Sequence, residues 1–77
     1  MTYIDEVSLS ELVKQIRKDK GLTQKETAAL LKVSQPTLSQ AENNPNKNLT
    51  RLRMQIVKEV GEMEIEGPFY RIKDDDA

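Results

Sequence analysis

The apolar positions of the chain recur at helical spacing in four stretches, which are separated by Gly, Asn and Pro. The period then changes in residues 62–66, where charged and apolar side chains alternate as in a strand, with Met63 and Ile65 on one face. We therefore predict a mainly α fold, a four-helix domain followed by a short C-terminal β-strand. The predicted helices are about Leu9–Lys20, Gln24–Lys32, Gln35–Glu42 and a fourth that stops at Gly61.

Capping residues mark the ends of these helices. Thr23 and Glu26 have the spacing of a capping box, and Ser34 precedes Pro36, which suits a first helical turn. The other predicted caps are Ser8 with Glu11, Asn48 or Thr50 at the fourth helix, and Gly21 and Gly61 at C-terminal ends.

The strand needs a partner, and two are open. It pairs either with the N-terminal arm, through Tyr3 and Ile4, or with the same strand of a second copy, which adds core to a small domain. An apolar group in the tail either covers a core edge or docks a partner, and its members are Phe69, Tyr70 and Ile72. The predicted division is an arm (1–7), a helical domain (8–61), a dimerising strand (62–66) and a tail (67–77).

Composition narrows the chemistry. The 77 residues, 36% of them hydrophobic, predict one soluble domain. The sequence has no Cys and no His, which removes disulfides, thiolate metal sites and the commonest neutral-pH base. It shows neither an apolar run long enough for a bilayer nor a signal peptide. We expect a cytoplasmic protein without cofactor or metal, and not an enzyme.

The net charge of −1 hides an uneven distribution of charge. Residues 14–53 hold nine basic side chains against three acidic ones, whereas residues 59–77 hold seven acidic side chains against two basic ones. A polyanion is therefore attracted to the middle of the chain and repelled by its end. This distribution leaves nucleic acid open as a partner.

The second and third predicted helices share one set of caps and apolar positions: Thr23-Gln24-Lys25-Glu26, Ala28, Val33-Ser34-Gln35, Leu38-Ser39 and Glu42-Asn43. This set resembles the Cro/repressor-type helix-turn-helix domain, the XRE family, and the likeness covers about Leu9 to Val60. A narrower likeness, to the HipB-type antitoxins, lies in Glu42-Asn43-Asn44-Pro45 followed by a helix and the alternation from Met63 to Ile65. It implies a homodimer joined through C-terminal strands, a palindromic operator of double-stranded DNA and a HipA-type kinase toxin as partner.

Two positions depart from the family pattern. Lys32 stands at the turn where the family usually has Gly, and a non-Gly residue in a left-handed conformation costs about 1 kcal/mol or more. Either the turn is strained or the helix is one residue longer. Ala41 stands where a larger apolar residue is common, so we expect a thin core contact under the third helix.

The polar side chains of the third helix are the candidates for reading DNA bases. A glutamine amide can donate to and accept from adenine at once, which is worth roughly 1–3 kcal/mol of discrimination, so Gln35 and Gln40 are preferred. Pro36 offers only apolar contact, for example to a thymine methyl. The alternative for each residue is a polar surface exposed to water. The full candidate set is Gln35, Pro36, Thr37, Ser39 and Gln40.

Phosphate contacts are expected at the start of the second helix, where backbone amides point outward and Gln24 adds a neutral donor. Weaker candidates for the same DNA backbone are Thr23, Lys25, Asn44 and Lys47. The family resemblance implies a different role for Arg17 and Glu42, a partly buried ion pair that fixes the third helix against the first. The alternative places Arg17 on a phosphate.

These expectations lead to a sequence-specific DNA-binding repressor that acts as a dimer. Within that class the antitoxin of a toxin–antitoxin operon, which binds its toxin and represses its own genes, is preferred over a free-standing regulator. The alternative from another class is a protein-interaction module that has lost DNA binding. Salt dependence separates the two, because binding to DNA weakens steeply as salt rises.

Overall fold

The computed structural model describes the backbone of residues 2–3, 5–66 and 71–72, and the side chains of residues 5–64. Its helices are α1 (Glu6–Asp19), α2 (Gln24–Leu31), α3 (Gln35–Asn43) and α4 (Thr50–Glu59). The predicted four-helix domain is confirmed. The predictions for Ile4 in the arm, for Phe69, Tyr70 and the Ile72 side chain, and for most of the tail lie outside the described residues.

One apolar face of each helix contributes to a single core. The helix α1 packs against α3 and α4, and α2 packs against α3. Leu38 and Ala41 of α3 are fully buried, so the small Ala41 side chain is enclosed by its neighbours. The core residues are Leu9, Val13, Ile16, Ala28, Leu31, Leu38, Ala41, Leu52, Ile56, Val57 and Val60.

Two predicted helix starts are wrong. The helix α1 begins three residues earlier than expected because Asp5, and not Ser8, is its N-cap: Asp5 Oδ1 accepts from the Ser8 amide at 2.7 Å. The predicted arm therefore loses Glu6 and Val7 to the helix. The N-cap of α4 is Leu49, which makes no side-chain cap bond. The Thr50 hydroxyl, one of the two predicted caps, instead donates to Glu6 Oε1 at 2.7 Å.

Other predicted caps are confirmed. Thr23 and Glu26 form both bonds of a capping box, at 3.0 and 2.9 Å, and Ser34 Oγ accepts from the Thr37 amide at 3.2 Å. Gly21 has φ +71°, and its amide and that of the next residue bond back to α1 carbonyls. This is the left-handed helix end that glycine favours.

Three short strands bring the two ends of the described chain together. β1 (Thr2–Tyr3), β2 (Ile65–Glu66) and β3 (Arg71–Ile72) form an antiparallel sheet in the order β1-β3-β2. The predicted strand over 62–66 is too long, because Glu62 has φ 54° and the Met63 amide donates to Val57 O at 3.1 Å. Met63 therefore precedes β2 and packs on the helical core of its own chain.

Candidate nucleic-acid interface

The unit of α2 and α3 is closed by a turn of three residues, Lys32 to Ser34. Lys32 has φ 58° and ψ 42°, so the strained turn, and not a longer helix, is the arrangement present. The amides of Lys32 and Val33 donate to Ala29 O and Ala28 O at 3.3 and 3.0 Å, which satisfies the free carbonyls at the end of α2. The turn thus fixes the direction in which α3 leaves α2.

The helix α3 turns its apolar side inward and its glutamines outward. Gln35, Pro36 and Gln40 are exposed, and Thr37 and Ser39 are half-buried. Within the described residues, the amides of Gln35 and Gln40 form no hydrogen bond with the rest of the chain. Both amides keep their donors and acceptor available to an external partner such as a base edge.

The two half-buried candidates are less available. The Thr37 hydroxyl lies 2.8 Å from the Ser34 hydroxyl, and Asn43 Nδ2 lies 3.4 Å from Ser39 Oγ. Lys14 of α1 extends this group, because its Nζ donates to Asn43 Oδ1 at 3.3 Å. The structure therefore adds a lysine from another helix beside the predicted contacts of α3, and the sequence pattern of α3 alone gave no sign of it.

Arg17 and Glu42 meet between α1 and α3. Arg17 Nε lies 2.5 Å from Glu42 Oε2 and Nη2 lies 3.1 Å from Oε1, while Nη1 donates to Leu22 O at 2.8 Å. The Glu42 side chain is 1% exposed. This geometry occupies the guanidinium with groups of its own chain and matches the structural role that the resemblance implies for the pair. A two-bond fork of this kind fixes orientation as well as distance.

Gln24 belongs to the same cluster. Its Nε2 donates to Glu42 Oε1 at 3.1 Å, so one carboxylate holds both α1 and the first residue of α2. An amide nitrogen has two hydrogens, and the second remains for an anion at the α2 N-terminus. The sequence could not show this bond, because the residues are far apart in the chain.

The other phosphate candidates lie on the surface, in two groups. Thr23 and Lys25 are exposed at the start of α2, and Asn44 and Lys47 are exposed in the loop between α3 and α4. The Thr23 oxygen already accepts from the Glu26 amide, so only its hydroxyl hydrogen can serve a ligand. Hydrogen bonds from Thr23, first from its backbone and then from its side chain, lower the pKa of Glu26 and favour its carboxylate form.

Arg53 is the residue that sequence reasoning missed. We counted it with the basic surface, but its side chain is fully buried and is bonded to Glu6 and to three backbone carbonyls. A signal was present, since Arg53 lies four residues after Leu49 and four before Val57, on the apolar face of the helix. The positive surface of residues 14–53 is therefore carried by exposed or half-buried lysines and Arg51.

The described residues offer no other kind of site. Within residues 5–64, no group of three or more acidic side chains is placed to hold a metal ion. None of the four helices is both long and apolar enough to pass through a bilayer.

Comparison with known proteins identifies the helical unit. Residues 13–55, more than half of the chain, match the family model described as helix-turn-helix. No curated protein and no solved structure matches the chain significantly. The matched segment contains the Arg17–Glu42 pair, the capping box and the whole of α3. The chain therefore belongs to the Cro/repressor-type (XRE) helix-turn-helix family of DNA-binding proteins.

Proposed function

We propose that the protein is a transcriptional repressor that binds its operator as a homodimer. The observation that carries this proposal is the pair of unengaged amides, Gln35 and Gln40, on a helix that two neighbouring helices hold through Glu42. A rigidly held helix with free amides suits direct readout, because base contacts need fixed geometry.

In this proposal α3 enters the major groove while the N-terminus of α2 meets the phosphate backbone. Gln35 and Gln40 read base edges, Pro36 contacts an apolar group, and Thr37 and Ser39 add single hydrogen bonds. Gln24, Thr23 and Lys25 bind one stretch of phosphates, and Asn44 and Lys47 bind another. Repression follows from occupation of the promoter.

Dimerisation is proposed through the sheet at the ends of the chain. The order β1-β3-β2 leaves one side of Ile65–Glu66 unpaired within the described chain, and such an edge can extend into the same strand of a second copy. A two-fold dimer would present two copies of α3 to half-sites about 34–36 Å apart. The operator would then be a palindrome of double-stranded DNA in the cytoplasm.

The finer proposal is an antitoxin. The likeness of residues 42–45 and 63–65 to HipB-type proteins supports a HipA-like kinase toxin as second partner and autoregulation of the shared operon. A free-standing regulator has the same DNA-binding surface without that partner. The acidic end of the chain is the observation that favours a protein-interaction module instead, because it repels DNA.

Gln35→Ala tests the readout, with Gln15→Ala as a matched control on the exposed side of α1. Binding is measured by fluorescence anisotropy against DNA from upstream of the protein's own gene and against a scrambled duplex, at several salt concentrations. We expect Gln35→Ala to lose roughly 5- to 150-fold in specific affinity, equivalent to about 1–3 kcal/mol, and the control to bind as the wild type. Equal affinity of both variants would remove the readout role of Gln35.

A further inference from the structure

Arg53 combines full burial with a full charge. Its side chain is 0% exposed, on the face of α4 that also carries Leu52 and Ile56. Removing a guanidinium from water is costly unless its donors are satisfied. Leucine would fill the same face without that cost, so the bonds made by Arg53 indicate what the charge does here.

Those bonds converge on one segment. Nε donates to Ala41 O at 2.9 Å and Nη2 to Asn44 O at 2.8 Å, and these carbonyls lie at the C-terminal end of α3. Nη1 donates to Lys47 O at 3.1 Å and to Glu6 Oε2 at 2.9 Å. Carbonyls at a helix end lack intrahelical partners and carry partial negative charge, so a buried cation is favourable at this place.

Two of the three carbonyls belong to phosphate candidates. Asn44 and Lys47 are exposed, and their backbone oxygens are held by the two terminal nitrogens of one planar group. The guanidinium thereby fixes the points from which both side chains leave the loop. An ammonium group cannot reproduce this, because it is a single centre that cannot span carbonyls on both sides.

We propose that Arg53 is the positioning residue for the DNA-backbone contacts of the loop between α3 and α4. It touches no DNA itself. Its fork holds Asn44 and Lys47 in the place where they meet phosphate, and Glu6 holds the fork against α1. This inference rests on the proposed function, and it assigns to a buried residue a part of the salt-dependent affinity.

The salt dependence of DNA affinity tests this role. Each lost cation–phosphate contact lowers the slope of log K against log salt by about 0.9, which is roughly a threefold smaller loss of affinity between about 50 and 200 mM salt. We expect Lys47→Ala to lower the slope by about one contact. Arg53→Lys should lower it by the same amount, and the double variant should show no further loss. All variants are measured at a temperature where circular dichroism shows them folded.

Glu6→Gln is the matched control. It removes the charge paired with Arg53 but leaves the three carbonyl bonds, so we expect lower thermal stability and an unchanged slope. A purely structural role for Arg53 predicts unchanged slopes in both Arg53→Lys and Glu6→Gln, and that result overturns the proposal. A Lys47→Ala slope equal to the wild type also overturns it, while salt-dependent binding by the wild type leaves the proposed function standing.

Pro45→Gly covers the case in which Arg53→Lys does not fold. Pro45 is the other restraint on the loop, and its replacement leaves every bond of Arg53 in place. If Arg53 positions the loop, Pro45→Gly keeps the wild-type slope. A slope lowered by about one contact shows that the proline ring sets the loop, and the proposal fails.

Discussion

Glu42 binds Arg17 through both carboxylate oxygens, at 2.5 and 3.1 Å, with only 1% of the Glu42 side chain exposed. Removing one member of such a pair leaves an unpaired buried charge. We expect Glu42→Ala to cost about 3–5 kcal/mol of unfolding free energy, measured by urea denaturation. Lys20→Ala, which breaks an exposed pair with Glu62 at 3.8 Å, should cost less than about 1 kcal/mol.

A second readout separates the pair from general packing. Glu42 also holds Gln24, so Arg17→Met combined with Glu42→Gln removes both charges and keeps an amide oxygen for Gln24. We expect the double variant to recover part of the stability that each single variant loses. If the losses simply add, the two side chains do not interact and the energetic role of the pair is wrong.

The left-handed Lys32 predicts a stabilising substitution. Its φ of 58° is unfavourable for a side chain with Cβ, and glycine removes that strain at some cost in unfolded-state entropy. We expect Lys32→Gly to raise the melting temperature by about 2–6 °C, equivalent to a few tenths to 1 kcal/mol. Lys18→Gly, in the right-handed helix α1, should lower it by a similar amount. A decrease in Lys32→Gly would show that the lysine side chain stabilises the turn.

The sequence indicated most of the scaffold, because helix periodicity and capping are local. The capping box at Thr23 and the left-handed end at Gly21 depend on neighbours within six residues. The start of α1 was wrong because Asp5 and Ser8 both have cap chemistry, and only the tertiary bond of Glu6 to α4 shows which turn is included.

The site was less predictable than the scaffold. The exposed glutamines follow from the period of α3, but the engagement of Gln24 by Glu42 and the burial of Arg53 depend on contacts 18 and 47 residues apart. A count of charges treats a buried arginine as surface. Its position on the apolar face of α4 is the feature that distinguishes it.

The capping box predicts a pH dependence. Hydrogen bonds from the Thr23 backbone and hydroxyl lower the pKa of Glu26 below its ordinary value of 4.5. A lowered folded-state pKa adds stability above the unfolded-state value, and this is lost as the pH falls through the lower folded value. We expect the melting temperature of wild type to exceed that of Glu26→Gln at pH 7 and the difference to shrink below about pH 4.5.

Replacing the hydroxyl provides the control for that titration. Thr23→Val removes the side-chain bond and leaves the backbone amide, so the pH-dependent part of the Glu26→Gln effect should become smaller in this background. A pH-independent difference between wild type and Glu26→Gln would show that the carboxylate charge contributes nothing to the cap.

The position of Met63 changes how dimerisation is best tested. Met63 packs on the core of its own chain, so its replacement by lysine would damage the fold whether or not a dimer exists. Ile65 begins β2, whose free edge is the proposed contact, and Ile65→Lys is the cleaner variant. We expect a wild-type dimer and an Ile65→Lys monomer by light scattering, with helical circular dichroism retained. Operator affinity should then fall and depend more steeply on protein concentration, because two half-sites are no longer bound together. A variant that stays dimeric would place the interface elsewhere.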